Sequence, residues 1–312
     1  MSAAELNQRI LADLRTHHIN PMNDVLFKFI FGKDERKQIT LDFLNAVLEE
    51  SLGHTIKKLT FRPTEQIPQS DDGKLTRLDV ACELDTGEFI DVEVQVINYH
   101  NMQRRTLYYW SQLYLLGIVS GQDYAVLRPA ITINILAFTL FAQTDPHAMY
   151  SIYNMKTGER LNRDMELHFL EIPKFVNKPV GEMTKMERWL AYFANQLNEQ
   201  EKEELAMSEA AIRDAYAATG TFFKNPEETL RYVNRQMAIM DYNSSINAAE
   251  ARGEKRGEAR GENRGEARGE KRGEERMANL MQRLYAEGRN DDAIKAASDK
   301  TYRQKLYQEL HI

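Results

Sequence analysis

The stretch LDVACELDTGEFIDVEVQ, residues 78–95, decides the fold. Leu78, Val80, Cys82 and Leu84 form one alternating apolar series, and Ile90, Val92, Val94 and Val96 form a second. That period of two is the mark of half-buried strands. Asp85-Thr86-Gly87 between them is hairpin-turn chemistry. Centred on Thr86, the pairing places Asp79 opposite Glu93 and Arg77 opposite Gln95, so these four share one face while the aliphatic residues fill the other. Asp91 adds a third acid to that face. Directly opposed Cβ atoms lie about 4.5–5.5 Å apart, where like charges repel. Two explanations stay open. An antiparallel hairpin with one wetted face carries charges at alternate positions in any case. Alternatively, a divalent cation that prefers hard oxygen ligands, such as Mg2+, sits between the acids.

Upstream, Asn20-Pro21 leads into MNDVLFKFIFG, residues 22–32, which is apolar on nearly every side and predicts a short buried helix closed by Gly32. Asp24 is its only acid. A buried carboxylate needs a partner, either Lys28 at i+4 or a metal and its water. Asp34 is placed to cap a second helix running to about Ser51, with Ile39, Phe43, Val47 and Leu48 inward and Leu52-Gly53 at its end. Residues 55–61 read as a strand and 63–73 as a polar loop.

Downstream, Tyr99 to Ile118 reads as a long helix and Ile131 to Phe141 as a strand, with shorter strands near 149–154 and 165–172. From Thr184 to Asn243 the periodicity is helical. In the helix after the hairpin, Gln103 and Arg105 are the near-site residues suited to DNA contact, as is Lys28. Leu107, Tyr108, Trp110, Leu113, Tyr114 and Leu115 face the core by helical spacing. The expected organisation is an α/β core over 1–175, a helical extension over 176–250, an RGE array over 251–276 and a small helical tail over 277–312.

A chain of 312 residues with 42% apolar and 28% charged residues suits a globular core with helical additions. Its net charge of −6 argues against a protein that coats nucleic acid, but not against a local basic path beside an acidic centre. Cys82 is the sole cysteine, which excludes an internal disulfide and a cysteine-based zinc cluster. With acids early in the chain (Glu5, Asp13) and no apolar run long enough to span a bilayer, a cytoplasmic protein without a membrane partner is expected. The seven histidines show no metal-ligand spacing, and no P-loop or dinucleotide-binding glycine motif occurs.

The array repeats Arg-Gly-Glu six times, from Arg252 to Arg272. In one straight helix each repeat stacks arginine over arginine and glutamate over glutamate, and each glycine costs about 1 kcal/mol relative to alanine. Two outcomes are open: a solvated polyampholyte linker, or helices of two chains that pair arginine against glutamate and make a homodimer.

Taken in order, these residues resemble the PD-(D/E)XK nuclease family transposases, also called Rpn recombination-promoting nucleases. The resemblance runs through Asn20-Pro21, Asp24-x-x-Phe27-Lys28-x-x-Phe31-Gly32, Leu78-Asp79-Val80 and Asp91-Val92-Glu93-Val94-Gln95. It continues with Arg105, Tyr109, Gly121-x-x-Tyr124 and Pro129, and covers about residues 20–250. It implies a restriction-endonuclease-like α/β core, a mixed sheet flanked by helices, that cuts DNA with Mg2+ or Mn2+. By position, Asp79 and Glu93 become metal ligands with the Val94 carbonyl completing the shell, and Asp24 and Gln95 join the catalytic set. Gln95 stands where the wider superfamily usually has lysine, and Leu78 where the superfamily's name has proline. Glutamine carries no positive charge, so a weakly active or inactive DNA-binding or assembly protein of the same fold is the alternative.

Overall fold

The computed structural model describes residues 19–66 and 76–312. Helices α1 (Asp24–Phe31) and α2 (Lys37–Leu52) precede β1 (Leu59–Phe61) and a short antiparallel pair, β2 (Glu65–Gln66) with β3 (Thr76–Arg77). The hairpin follows as β4 (Val80–Leu84) and β5 (Phe89–Gln95). Next come α3 (Met102–Leu115), β6 (Ala130–Leu136), β7 (His147–Tyr150) and β8 (Met165–Glu171). The rest is helical: α4 (Lys185–Ala194), α5 (Glu199–Ser208), α6 (Ala210–Phe222), α7 (Pro226–Ala286), α8 (Asn290–Ser298) and α9 (Lys300–Glu309).

Six strands make one mixed sheet in the order β1-β4-β5-β6-β8-β7. The hairpin and β1 are antiparallel, β5, β6 and β8 are parallel, and β7 closes an edge antiparallel to β8. The parallel step from β5 to β6 needs a crossover, and α3 supplies it. A mixed six-stranded sheet between helices, followed by a helical stretch, is the restriction-endonuclease-like architecture that the sequence implied.

Alternation along the strands sorts the two faces. Val80, Cys82 and Leu84 of β4, Ile90, Val92 and Val94 of β5, and Ile131, Ile133 and Ile135 of β6 share one core with α1, α2, α4 and α6. Its centre is aromatic: Phe31 lies 4.6 Å from Phe27, 5.6 Å from Trp189 and 5.7 Å from Phe193, ring centre to ring centre. Fully burying each such ring contributes about 1.5–3 kcal/mol. The helical extension therefore completes the core of the sheet domain. On the opposite face, α3 sets Leu113 against Leu78, Ala81, Phe89 and Ala130. Asp91, Glu93 and Gln95 belong to that second face because they alternate with the valines.

Several local expectations are corrected. Leu78 does not continue the series of Val80 and Cys82; the chain bends at Asp79, which turns Leu78 to the α3 side. Arg77 does not oppose Gln95 but pairs in register with Glu65, because β3 leaves the main sheet for its own ladder. Asp34 opens a 3-10 turn, Asp34–Arg36, and α2 starts at Lys37 without a side-chain cap. Gly53 closes that helix at φ +74°, in the left-handed region where glycine carries no Cβ penalty. Among the α3 residues expected inside, Leu107, Tyr108 and Leu115 are exposed, and only Leu113 is buried. Part of the polar loop expected over 63–73 lies outside the described residues.

The chain divides into two compact units, one ending at Asp241 and the other Tyr242–Ile312, with α7 running through the boundary. The second unit has its own small core of Leu280, Leu284, Ala293, Ala296, Leu306 and Leu310. Residues 251–276 are helical and exposed throughout. Within the array the described ion pairs reduce to Lys271 with Glu275 at 4.0 Å, so the arginines and glutamates of the RGE repeats form no ion pair among the described residues. No helix among the described residues is long and apolar enough to cross a membrane.

Candidate active site

The hairpin register brings the two central acids together. Val80 pairs with Val92 and Ala81 with Asp91, so Asp79, one residue before the ladder begins, falls beside Glu93. At that bend the Asp79 amide donates to Glu93 Oε1 at 3.0 Å. In return the Val94 amide donates to Asp79 Oδ2 at 3.1 Å. Each carboxylate is thus oriented by the backbone beside the other.

Cations surround them. Lys28, projecting from α1, places Nζ 2.8 Å from Asp79 Oδ1. Arg105, from the first turns of α3, donates through Nη2 to Glu93 Oε2 at 3.1 Å and through Nη1 to Gln95 Oε1 at 3.0 Å. Gln95 Nε2 donates to the same Glu93 oxygen at 3.0 Å, which closes a ring of three side chains. The Arg105 guanidinium also lies 4.8 Å from the centre of the Tyr109 ring, a cation–π contact that orients it further.

Asp24 lies in the first turn of α1, where the helix dipole favours an acid. Its partner is not Lys28. Arg235 of α7 donates through Nε to Asp24 Oδ1 at 2.8 Å, 211 residues along the chain. Lys28 turns to Asp79 instead, because the bend leaves that carboxylate within its reach. Asp24, Asp79, Gln95, Arg105 and Arg235 line one cleft of about 130 Å³, together with Tyr99. Gln103 is exposed and is not part of the cleft wall.

The electrostatics are those of crowded acids. Burial, only partly countered by Lys28, raises the Asp79 pKa above its usual range. Burial and then the Asp79 charge push Glu93 up to about 8. Asp91 is raised well above the carboxylate range by burial, then by Glu93 and Asp79. It is wholly buried, and neither of its carboxyl oxygens has a hydrogen-bond partner among the described residues. Asp24 holds Arg235, Asp79 holds Lys28 and Glu93 holds Arg105, which leaves Asp91 without a cation partner among the described residues.

These residues fit a divalent metal. The donors are carboxylate oxygens, the hard ligands that Mg2+ and Mn2+ take. As the side chains stand, no three His, Cys, Asp or Glu among the described residues already form a metal-holding cluster. Lys28 and Arg105 occupy the acids' oxygens instead.

Sequence reasoning missed Arg235 and Tyr99. Neither sits in a motif, and the long-range contact of Arg235 follows only from the packing of α7 on α1.

A second cavity of about 810 Å³ lies on the other face of the sheet, lined by His147, His168, Arg160 and the end of α2. There Glu166 holds Arg160 at 2.8 Å and His168 at 3.2 Å, and His168 meets His147 at 2.9 Å. This chain of contacts fastens the edge strand β7 to β8.

The fold is that of a restriction-endonuclease-like α/β protein. The chain belongs to the PD-(D/E)XK nuclease family transposases: the family model matches residues 21–249, which include every residue of the cleft. No curated protein and no solved structure matches the chain. Its function is accordingly nuclease- or transposase-related, with DNA as the substrate that the family implies, and PD-(D/E)XK nucleases generally use divalent metals.

Proposed function

We propose that this protein is a Mg2+- or Mn2+-dependent DNA endonuclease that hydrolyses phosphodiester bonds, acting in recombination, mobile-element movement or defence. The observation that carries the reading is the pair Asp79 and Glu93, buried side by side with raised pKa values and held by organic cations. Asp79 and Glu93 are the metal ligands in this reading, with the Val94 carbonyl as a third donor. The cleft volume of about 130 Å³ lies far below the roughly 300–1,000 Å³ of small-molecule pockets. It suits one phosphate group of a polymer crossing its mouth.

A bound divalent cation supplies Lewis-acid polarisation of the phosphate and a lowered pKa for water. The chain's own residues do the rest. Lys28 and Arg105, which contact Asp79 and Glu93, would offset negative charge that builds on a phosphate bound beside them. Lys28 thereby brings, from a helix, the positive charge that Gln95 lacks at its strand position. Gln95, fixed by Arg105 and Glu93, is oriented to hydrogen-bond the attacking water or a non-bridging oxygen. Tyr109 and the reciprocal backbone bonds of Asp79 and Val94 hold these groups in place, which limits reorganisation during reaction.

Plasmid nicking with Mg2+, Mn2+ or Ca2+ supplied in turn tests the reading. Nicking is expected with Mg2+ or Mn2+ and lost in Asp79→Ala and Glu93→Ala. DNA binding without nicking by any metal supports the alternative, a weak or inactive DNA-binding or assembly protein. The missing strand lysine favours that second reading.

The array adds a proposal of its own. Its unmatched charge columns suit pairing with a second copy, arginine against glutamate with glycines at the contact. Deletion of 251–276 is expected to lower the molar mass measured by light scattering, and an unchanged mass removes the idea.

A further inference from the structure

We infer that Arg235 is a DNA-binding residue, a phosphate clamp that the helical extension lends to the cleft of the sheet domain. The inference rests on the nuclease reading above and adds to it a residue from outside the hairpin and α1.

Three observations carry it. Arg235 lines the same cleft as Asp24, Asp79, Gln95 and Arg105. Its side chain is 39% exposed, against 34% for Lys28 and 28% for Arg105, so it is the most accessible of the three cations. Asp24 engages only Nε, and among the described residues Nη1 and Nη2 have no partner. A guanidinium anchored by one donor keeps two free amino groups in its plane, the fork that matches two phosphate oxygens.

A purely structural role explains less. The docking of α7 on α1 is already secured by other bonds, one buried and two part-buried. Asn23 Nδ2 donates to the Tyr232 carbonyl at 3.3 Å and to Gln236 Oε1 at 3.2 Å, and the Asn20 amide donates to the Tyr232 hydroxyl at 2.8 Å. A part-exposed pair such as Asp24–Arg235 adds little to stability beside these. Its geometry suits ligand capture instead, since Asp24 holds Arg235 at the cleft wall through Nε alone.

The test uses the full-length protein and a fluorescent duplex, with Ca2+ to permit binding and fluorescence anisotropy to read Kd across a salt series. Arg235→Ala is expected to weaken binding about tenfold, the loss of one charge-assisted hydrogen-bonding group, and to lower the slope of log K against log salt by about one. Arg235→Lys keeps the charge and is expected to restore the slope and part of the affinity. In Mg2+, Arg235→Ala is expected to raise KM more than it lowers kcat. Arg235→Ala with wild-type affinity and slope, or with a loss that tracks a fall in Tm, overturns the inference while the nuclease reading stands. Absence of nicking by the wild type with every metal overturns the nuclease reading instead, and the salt slope still decides whether Arg235 meets phosphate.

Discussion

The backbone amide of Asp79 donates to the carboxylate of Glu93 at 3.0 Å, and this one bond ties the bend before β4 to the middle of the candidate site. It also means that the two acids repel across a fixed separation, in a setting where burial already disfavours their charge. Isosteric neutralisation should therefore remove activity without costing stability. Asp79→Asn and Glu93→Gln are expected to lower nicking by at least about a hundredfold. In EDTA their Tm values are expected to match or exceed wild type, read by circular dichroism. A Tm loss of several degrees in both variants contradicts the electrostatic account.

Lys28 meets Asp79 at 2.8 Å from the side of α1, and no lysine follows Glu93 on the strand. Lys28→Met keeps the stem that packs along the helix and deletes the charge. The expected result is a fall of about ten- to a hundredfold in single-turnover nicking, with DNA affinity lowered less. Equal losses in both measurements make Lys28 a binding group only.

Asn23 is fully buried and works in two directions. Its Oδ1 accepts the Val25 and Leu26 amides at the start of α1, and its Nδ2 donates to α7. Asn23→Asp keeps the cap and loses the donors; Asn23→Ala loses both. Urea melts are expected to show a cost of about 1–3 kcal/mol for Asp and more for Ala. Wild-type stability in Asn23→Asp indicates that the contacts to α7 carry no weight, and identical costs in the two variants indicate the same of the cap.

The edge strand β7 should respond to acid. Burial, followed by the neighbouring His168, lowers the His147 pKa to about 4 against the weaker opposing pull of Asp145. An unfolded histidine titrates near 6.5. The fold therefore prefers the neutral ring, and its contribution is complete above about pH 6.5 and is lost as pH falls from there toward 4. The linked loss is at most about 3 kcal/mol. Glu166 acts lower: burial opposes its charge, but hydrogen bonds from His168, Arg160 and Ser51 hold it down to about 2, so its contribution drains below pH 4.5. Urea melts at pH 7.5, 5.5 and 4.5 should show a decline that flattens in His147→Phe. A decline of undiminished slope in that variant assigns the acid sensitivity to other groups.

Local pattern was enough for much of this protein. Alternation from Val80 to Leu84 and from Ile90 to Val94, with Asp85-Thr86-Gly87 as the turn, yields the hairpin and its register, because a one-residue slip moves every aliphatic side chain to the wrong face. The same pattern puts Asp91, Glu93 and Gln95 on one side and Ile90, Val92 and Val94 on the other. Gly53 and the apolar run after Pro21 likewise mark a helix end and a buried helix from their own chemistry. These features depend on neighbours a few residues away.

Partners chosen across long distances were another matter. The apolar spacing within α3 could not show that Leu107, Tyr108 and Leu115 lack a covering layer, since that depends on what else packs there. Nor does i+4 spacing reveal that Lys28 leaves Asp24 for Asp79, or that Asp24 receives Arg235 from 211 residues away. An ion pair forms wherever folding brings opposite charges within reach, and the seating of α4, α6 and α7 on the sheet domain's core settled which charges those were. Short-range alternation drew the strands; only burial of the shared aromatic core decided which cations guard the acids.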